Sequence, residues 1–296
     1  MKKLLLFDAN NVALRCVHIK DVIDYNDDKT VRSIDYGYWK YLMFNSIYMS
    51  LFAVKNVGTV VFAADSRNSW RYDVWNRYKE DRKKKKKKDK TNFPWNEFFE
   101  QYSLFLQEIR EHFPIKIIQI DKCEGDDIIG VLALNTDQPV HVISTDKDFL
   151  QLSSPRVKIY NPVKQQYVSH PNTNMFLLEQ CLCGQSKDSI FNIKTPLDHP
   201  EGKRKPGFGP KAFEKVIEYG PKQWLVDNDL VERYKFNKVL MDFKLIPTKI
   251  KDIIMKEYDE YQYPEPDMIW KFVKEKNYPE IVENFTNIEQ RMMELY

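Results

Sequence analysis

Cysteine, glycine and histidine are all scarce in this 296-residue chain, and each scarcity closes off a class of chemistry. The four cysteines, Cys16, Cys123, Cys181 and Cys183, are too few and too scattered for a disulfide framework. Cys181 and Cys183 have no histidine at zinc-ligand spacing, so all four are expected as reduced thiols in a cytoplasmic protein. His18, His112, His141, His170 and His199 lie at least 29 residues apart, and none is assigned a catalytic role. No Ser/His/Asp or Cys/His arrangement can be built from spacing. Long apolar runs are missing too. The run from Met1 to Phe7 stops at Asp8, short of a signal-peptide core. No stretch approaches the roughly eighteen apolar residues of a membrane span. The expectation is a soluble, unexported protein with no membrane contact.

Net charge of one sign is also lacking. Lys and Arg number 46 against 43 Asp and Glu, a formal +3, which excludes a uniformly basic coat. That mean hides an uneven distribution. Twelve basic and four acidic residues fall between Arg67 and Lys90, so the rest of the chain carries 34 basic against 39 acidic residues. A basic block on a slightly acidic body predicts one localised contact with a polyanion.

What is present is a 43% apolar content, enough for a real core, and a clear alternation of patterns. Short apolar runs at Lys3–Phe7, Thr59–Ala64, Ile115–Ile120 and Val140–Ser144 read as buried parallel strands, with Val157–Tyr160 and Tyr167–Val168 closing the set. Helical periodicity over Tyr36–Phe52 and Trp95–Phe113 separates them. This predicts an α/β fold with a mostly parallel central sheet over residues 1–170. Residues 171–296 read as helical, with segments Asn174–Cys183, Lys211–Tyr219, Pro221–Tyr234, Asn237–Phe243 and Pro247–Tyr258, and two more helices in the tail Pro264–Tyr296.

The acids carry the chemistry. The first strand ends in Asp8 and the second in Asp65; Glu124, Asp126 and Asp127 follow the third, and Asp146 and Asp148 the fourth. Ligands of open α/β sheets bind outside the carboxyl ends of the strands. One acid there commonly caps the next helix. Seven acids after four strands would repel one another unless a cation sits among them. Hard divalent cations with oxygen ligands answer that need, and two of them can activate a water and stabilise a leaving phosphodiester oxygen.

Beside the acids, Arg67, Arg71, Tyr78, Lys79 and Arg82 belong to a stretch that interleaves basic and aromatic residues, suited to holding phosphates and stacking bases. The six-lysine run Lys83–Lys88 that follows is by itself a solvated loop, with Lys79 and Arg82 the better candidates for placed contacts. Of only nine glycines, Gly202, Gly207 and Gly209 fall within eight residues. Lys205-Pro206-Gly207-Phe208-Gly209-Pro210-Lys211 then opens a helix, a turn that lets a duplex backbone come close to helix amides. It lacks the strand and spacing of a dinucleotide-binding fingerprint.

Together these motifs, with Lys187-Asp188 between Glu124–Asp148 and the glycine turn, resemble the flap endonuclease/5′ nuclease family, and within it the ribonuclease H group of T-even-type bacteriophages. The resemblance implies a PIN/5′-nuclease-like core with a basic helical arch at about 67–92. It also implies a helix–three-turn–helix at about 180–220 in a DNA-binding domain. It implies a two-magnesium centre of Asp8, Asp65, Glu124, Asp126, Asp127, Asp146, Asp148 and Asp188, with manganese able to substitute. Asp8, Asp65, Glu124 and Asp146 would surround one ion, and Asp127, Asp148 and Asp188 lie nearer the other. Lys79 and Arg82 match arch residues that act on the scissile phosphate, Tyr78 a stacking aromatic, and Gly207 and Gly209 a turn that holds potassium against duplex phosphate. One departure stands out: Gly184-Gln185-Ser186-Lys187-Asp188 replaces the family's Gly-Asp-x-x-Asp, so one acid of the second metal site is a neutral amide.

The implied activity is 5′→3′ hydrolysis of RNA–DNA hybrids and of nicked, forked or 5′-flap DNA, with primer removal in lagging-strand replication. Asp146 is the acid whose loss should stop it. A monomer is expected, with a phage single-stranded-DNA-binding protein or sliding clamp as partner of the C-terminal helices. Two alternatives stay open: a PIN-type endoribonuclease, which needs neither arch nor glycine turn, and a non-catalytic DNA-binding scaffold.

Overall fold

Leu4, Leu5, Leu6 and Phe7 are all fully buried because the strand they form, β1 (Lys3–Asp8), is covered on both faces. That is why the run is continuously apolar rather than alternating. In the computed structural model, which describes residues 1–269, 271–272, 290 and 292–295, β1 leads into α1 (Ala9–Val17). A hairpin of β2 (Ile23–Tyr25) and β3 (Val31–Ile34), then α2 (Tyr36–Ala53) and β4 (Val57–Ala63), follow. Next come α3 (Arg71–Val74), α4 (Glu80–Lys87) and α5 (Trp95–His112). The sheet is completed by β5 (Lys116–Ile118), α6 (Gly125–Asn135), β6 (Val140–Ile143), a 3-10 turn at Lys147–Leu152, β7 (Val157–Asn161) and β8 (Gln166–Val168).

Strand order is β5-β4-β1-β6-β7-β8, parallel throughout except for β8. Leu5 and Phe7 join a core with Val12, Trp39, Met43, Ile47 and Phe105 from α1, α2 and α5. Leu4 and Leu6 face the other way, onto Ile128, Ile129 and Leu132 of α6. The result is three layers, helices on both sides of one sheet. From β1 the chain crosses to β4 on one side, and from β6 to β7 on the other. The crevice between the carboxyl ends of β1 and β6 is therefore the switch point where such sheets bind ligands.

Helices fill the remainder: α7 (Thr173–Cys183), a turn at Ser186–Asp188, α8 (Pro210–Tyr219), α9 (Pro221–Asp227), α10 (Val231–Met241), a turn at Phe243–Leu245 and α11 (Thr248–Asp259). The helix expected over Pro221–Tyr234 is two helices. It breaks at Asn228–Leu230, where Asp229 takes a left-handed φ of 52°. The two tail helices expected over Pro264–Tyr296 lie mostly outside the described residues. Of the part that is described, Phe272 packs on Phe44 and Phe113. Among the described residues no helix is long and apolar enough to cross a membrane.

The helical part is docked on the sheet rather than hung from it. Phe243 stacks on Phe149 at 5.8 Å between ring centroids and enters the α6 core with Ile246 and Ile254. It reaches that depth because position 130 is glycine: a Cβ there would stand 2.7 Å from the Phe243 ring. Phe243→Ala is expected to cost about 3–5 kcal/mol in urea unfolding. Gly130→Ala should cost less in that background than alone, a non-additivity readable from the double-mutant cycle.

Candidate active site

The acids at the sheet edge are held by the elements they begin. Asp8 caps α1, its Oδ1 accepting from the Asn11 amide at 3.0 Å, while Oδ2 accepts from the Ser144 hydroxyl beyond β6 at 2.9 Å. Asp65 accepts from the Gly125 amide at 2.7 Å, which ties β4 to the start of α6. Gly125 permits this approach, since a Cβ would lie 2.8 Å from the Ala63 carbonyl. Asp146 caps its own turn by accepting from the Asp148 amide at 2.9 Å. Asn10 and Asn11, which sequence reasoning passed over, fasten neighbouring ends: Asn10 accepts from the Asp65 amide and Asn11 from the Thr145 hydroxyl. Their signal was two polar residues directly after a buried strand.

Asp8, Asp65, Asp126 and Asp146 act on one another. Burial, with Asp65 next and Asp146 adding, pushes the Asp8 carboxyl up to about 7. Burial and then Asp8, Asp146 and Asp65 raise Asp126 well above the usual range, and burial raises Asp65 against the opposing pull of Lys79 and the Gly125 amide. No ion-pair partner meets Asp8, Asp65 or Asp126 among the described residues. The other acids are paired. Glu124 meets Lys79 and, at 2.9 Å, Arg71; Asp127 meets Arg71 at 2.8 Å; Asp188 meets Arg82 at 2.7 Å. Lys187 bridges Asp146 at 2.7 Å and Asp148 at 2.9 Å. Burial would raise Glu124, but Lys79 and Arg71 outweigh it and hold the carboxyl down at about 2. As they stand, no three acids, histidines or cysteines among the described residues form a ready-made ligand set. The all-oxygen donors of buried Asp8 and half-buried Asp65 and Asp126, none in a direct ion pair among the described residues, nevertheless suit a hard divalent ion.

Three expectations change. Asp127 is 0% exposed, accepts from Trp70 Nε1 at 3.1 Å and from the Glu124 amide at 3.0 Å, and closes the first turn of α6. It is a post for the helix and Arg71. Arg71, expected on phosphate, is 4% exposed and also donates to the Leu240 carbonyl at 2.8 Å, clamping the arch base to α10. Tyr78, expected to stack on a base, is 5% exposed and donates its hydroxyl to Glu124 at 3.0 Å.

The basic stretch does stand over the acids. Lys79, left-handed at φ 54°, donates its amide to the Asp188 carbonyl at 2.9 Å and starts α4. The Asp81 amide bonds the Ser189 hydroxyl and Arg82 Nε the Lys187 carbonyl, both at 2.9 Å, so the arch base is stitched to the Ser186–Asp188 turn. Arg67 is exposed beside it. Lys83 and Lys86 line a groove of about 740 Å³ with Phe93 and Trp95. Away from these, Gly207 and Gly209 are not left-handed and an added Cβ would touch nothing. The fold itself does not demand glycine there. Gly209 caps α8 next to Pro210, with Lys205 and Lys211 exposed on either side.

Residues 3–177 match the model of the 5′-3′ exonuclease N-terminal resolvase-like domain. The chain belongs to the 5′-3′ exonuclease family. Residues 171–288 match a second model, the C-terminal domain of T4 RNase H. Ribonuclease H of Enterobacteria phage T4 is 27% identical over 284 residues, covering 91% of this chain and 90% of that one. The flap endonuclease Xni of Shewanella sp. (strain MR-4) is 30% identical over 155 residues, half of this chain and 53% of the relative. Among solved structures, the T5 D15 protein co-crystallised with metal ions superposes with a TM-score of 0.60 at 17% identity, covering 93% of this chain and 98% of that one. A complex of the bacteriophage T5 D15 flap endonuclease with DNA and metal ions gives 0.57 at 17% identity, over 93% and 97%. The α/β exonuclease core with its helical C-terminal region is thus the family's fold, and the family is one of nucleases.

Two outcomes follow from the site's electrostatics. Arg71→Met leaves Glu124 and Asp127 buried beside an uncharged group and should cost about 3–5 kcal/mol in denaturant unfolding, because one partner of a buried pair is gone. Arg67→Ala on the surface should stay within about 0.5 kcal/mol. Asp8 binds its proton more tightly folded than unfolded. Its stabilising contribution is complete below about pH 4 and is lost as pH rises through about 7. In chelator, Tm should therefore fall from about pH 5 to 8 more steeply for the natural chain than for Asp8→Asn.

Proposed function

We propose that this 5′-3′ exonuclease hydrolyses phosphodiesters in nicked, forked and 5′-flap DNA and in RNA–DNA hybrids, using magnesium, and so removes RNA primers during lagging-strand synthesis. The observation that carries this is the trio of buried Asp8 and half-buried Asp65 and Asp126 at the sheet's switch point, none in a direct ion pair among the described residues, under a basic arch. T4 ribonuclease H, a relative along nearly the whole chain, and the metal-bearing T5 structures favour the same reading.

Asp8, Asp65 and Asp126, with Glu124 and Asp146 beside them, would hold the catalytic ion. When bound, such an ion lowers the pKa of a water and neutralises charge on the leaving oxygen. Manganese meets the same oxygen donors. The chain's own residues do the rest. Ser144 and the Asn11 amide fix both oxygens of Asp8, so it cannot turn away from an ion. Lys79 and Arg82 offer their charge to the scissile phosphate, each placed by the Ser186–Asp188 turn. Gly207, Gly209 and the amide end of α8, flanked by Lys205 and Lys211, grip the duplex backbone, where a potassium ion can share the phosphate. Burial pushes Cys16 and Cys183 up to about 11 and Cys123 and Cys181 up to about 12, so no thiolate is poised to attack. Direct attack by water, leaving a 5′-phosphate and a 3′-hydroxyl, fits that absence. The working unit is a monomer in the host cytoplasm, and a single-stranded-DNA-binding protein or sliding clamp fits as a partner for the C-terminal residues.

End-labelled flap, nicked and RNA–DNA substrates test the proposal. Asp126→Asn and Asp146→Asn should each lower cleavage by about 10²–10³-fold or more while duplex binding in a mobility shift persists. Cutting that continues unchanged in EDTA overturns it.

A further inference from the structure

We propose that the ammonium group of Lys187 takes the place of the second metal ion, so that the free enzyme holds a single tightly bound divalent cation. The inference rests on the metal-dependent nuclease reading and refines its site.

The acids of the cleft fall into two sets by how their charge is met. Asp8, Asp65 and Asp126 have no cationic partner among the described residues. Asp146, Asp148 and Asp188 are answered one by one from the chain itself. Lys187 Nζ lies 3.0 and 2.7 Å from the two oxygens of Asp146 and 2.9 Å from Asp148 Oδ2. Arg82 lies 2.7 Å from Asp188 Oδ1. The other Asp148 oxygen accepts from Gln185 Nε2 at 2.7 Å.

Gln185 settles the polarity of that corner. Its Nε2 donates both to Asp148 Oδ1 and to Gln180 Oε1, at 3.1 Å. Both partners accept here, so turning the amide over would set oxygen against oxygen; the donor end faces the acids. A cation entering there would meet N–H groups where it needs oxygen donors. The lysine side chain is 40% exposed, but the backbone that carries it is held. Its carbonyl accepts from Arg82 Nε at 2.9 Å, and the next carbonyl, of Asp188, accepts from the Lys79 amide at 2.9 Å. The turn is therefore clamped on both sides by the arch, and the ammonium is aimed between Asp146 and Asp148. A neutral amide at position 185 and a cation at position 187 are complementary. The first removes an oxygen ligand, and the second supplies positive charge to the acids that ligand would have joined.

The test counts ions on the intact protein, with manganese alone as probe and no nucleic acid. Titration calorimetry and the paramagnetic signal of free Mn²⁺ should give one tight site in the natural chain. Lys187→Met frees Asp146 and Asp148 and should raise the count to two, with the added ion binding more tightly in Lys187→Met/Gln185→Asp. Lys187→Arg, which keeps the charge, should keep the count at one. Thermal melts in chelator establish that each variant is folded. Two tight sites in the natural chain, or an unchanged count in folded Lys187→Met, overturns the role of Lys187 and leaves the nuclease reading standing. No bound Mn²⁺ together with cleavage in EDTA overturns the metal-dependent reading itself.

Discussion

Negative charge gathered where water is scarce is the constraint on which the rest of this structure depends. A carboxylate taken out of water must be paired, hydrogen-bonded or neutralised by a proton. The fold brings eight acids to one crevice and uses all three remedies. Arg71, Lys79, Arg82 and Lys187 pair five of them. Ser144, Asn11 and Gly125 hydrogen-bond Asp8 and Asp65. Those two and Asp126, left without a cation, have raised pKa values. A nuclease site of this kind is a controlled instability, and the uncompensated part of it is where an ion gains most by binding.

The scaffold supplies that arrangement through close approaches that larger residues would block. Gly125 lets the start of α6 touch β4 and present its amide to Asp65. Gly130, one turn further along the same helix, lets Phe243 seat the C-terminal helices on the sheet. Arg71 joins these two levels, since it reaches Glu124 and Asp127 at the start of α6 and the Leu240 carbonyl at the end of α10. Displacement of α10 would thus be felt at the acids, and the helical region is part of the site's support.

Sequence made much of this legible. Continuous apolar runs ending in acids are the mark of a two-faced parallel strand meeting a ligand edge, and Asp8, Asp65 and Asp146 were found on that ground alone. The hairpin β2–β3 was not found, because short half-exposed strands carry no strong period. Arg71, Tyr78 and Asp127 were misread for a shared reason. Residue type announces charge or an aromatic ring, but burial decides whether that group faces a ligand or its own chain. Glu124 and Asp127 close the N-terminus of α6 through a reciprocal capping box. Lys187 stood in the sequence as one position of a degenerate motif. Only the fold shows that it reaches two acids at once.

Burial also separates the permanent cations from the exchangeable ones. Arg71, with its side chain 5% exposed between two buried acids, cannot leave without stranding them, and loss of such a partner costs about 3–5 kcal/mol. The Arg82 side chain is 49% exposed, and a pair that wet is worth about 1 kcal/mol or less. A phosphate brought under the arch can draw Arg82 from Asp188 at little cost, and the Asp188 carboxylate is then left facing whatever cation is near. Lys79, less exposed and held by a strained backbone, moves over a shorter range. The same residues that quiet the acids in the free chain are thereby those with charge to offer a substrate. Under the proposed function, arrival of a polyanion and exposure of Asp188 to a divalent ion become one event.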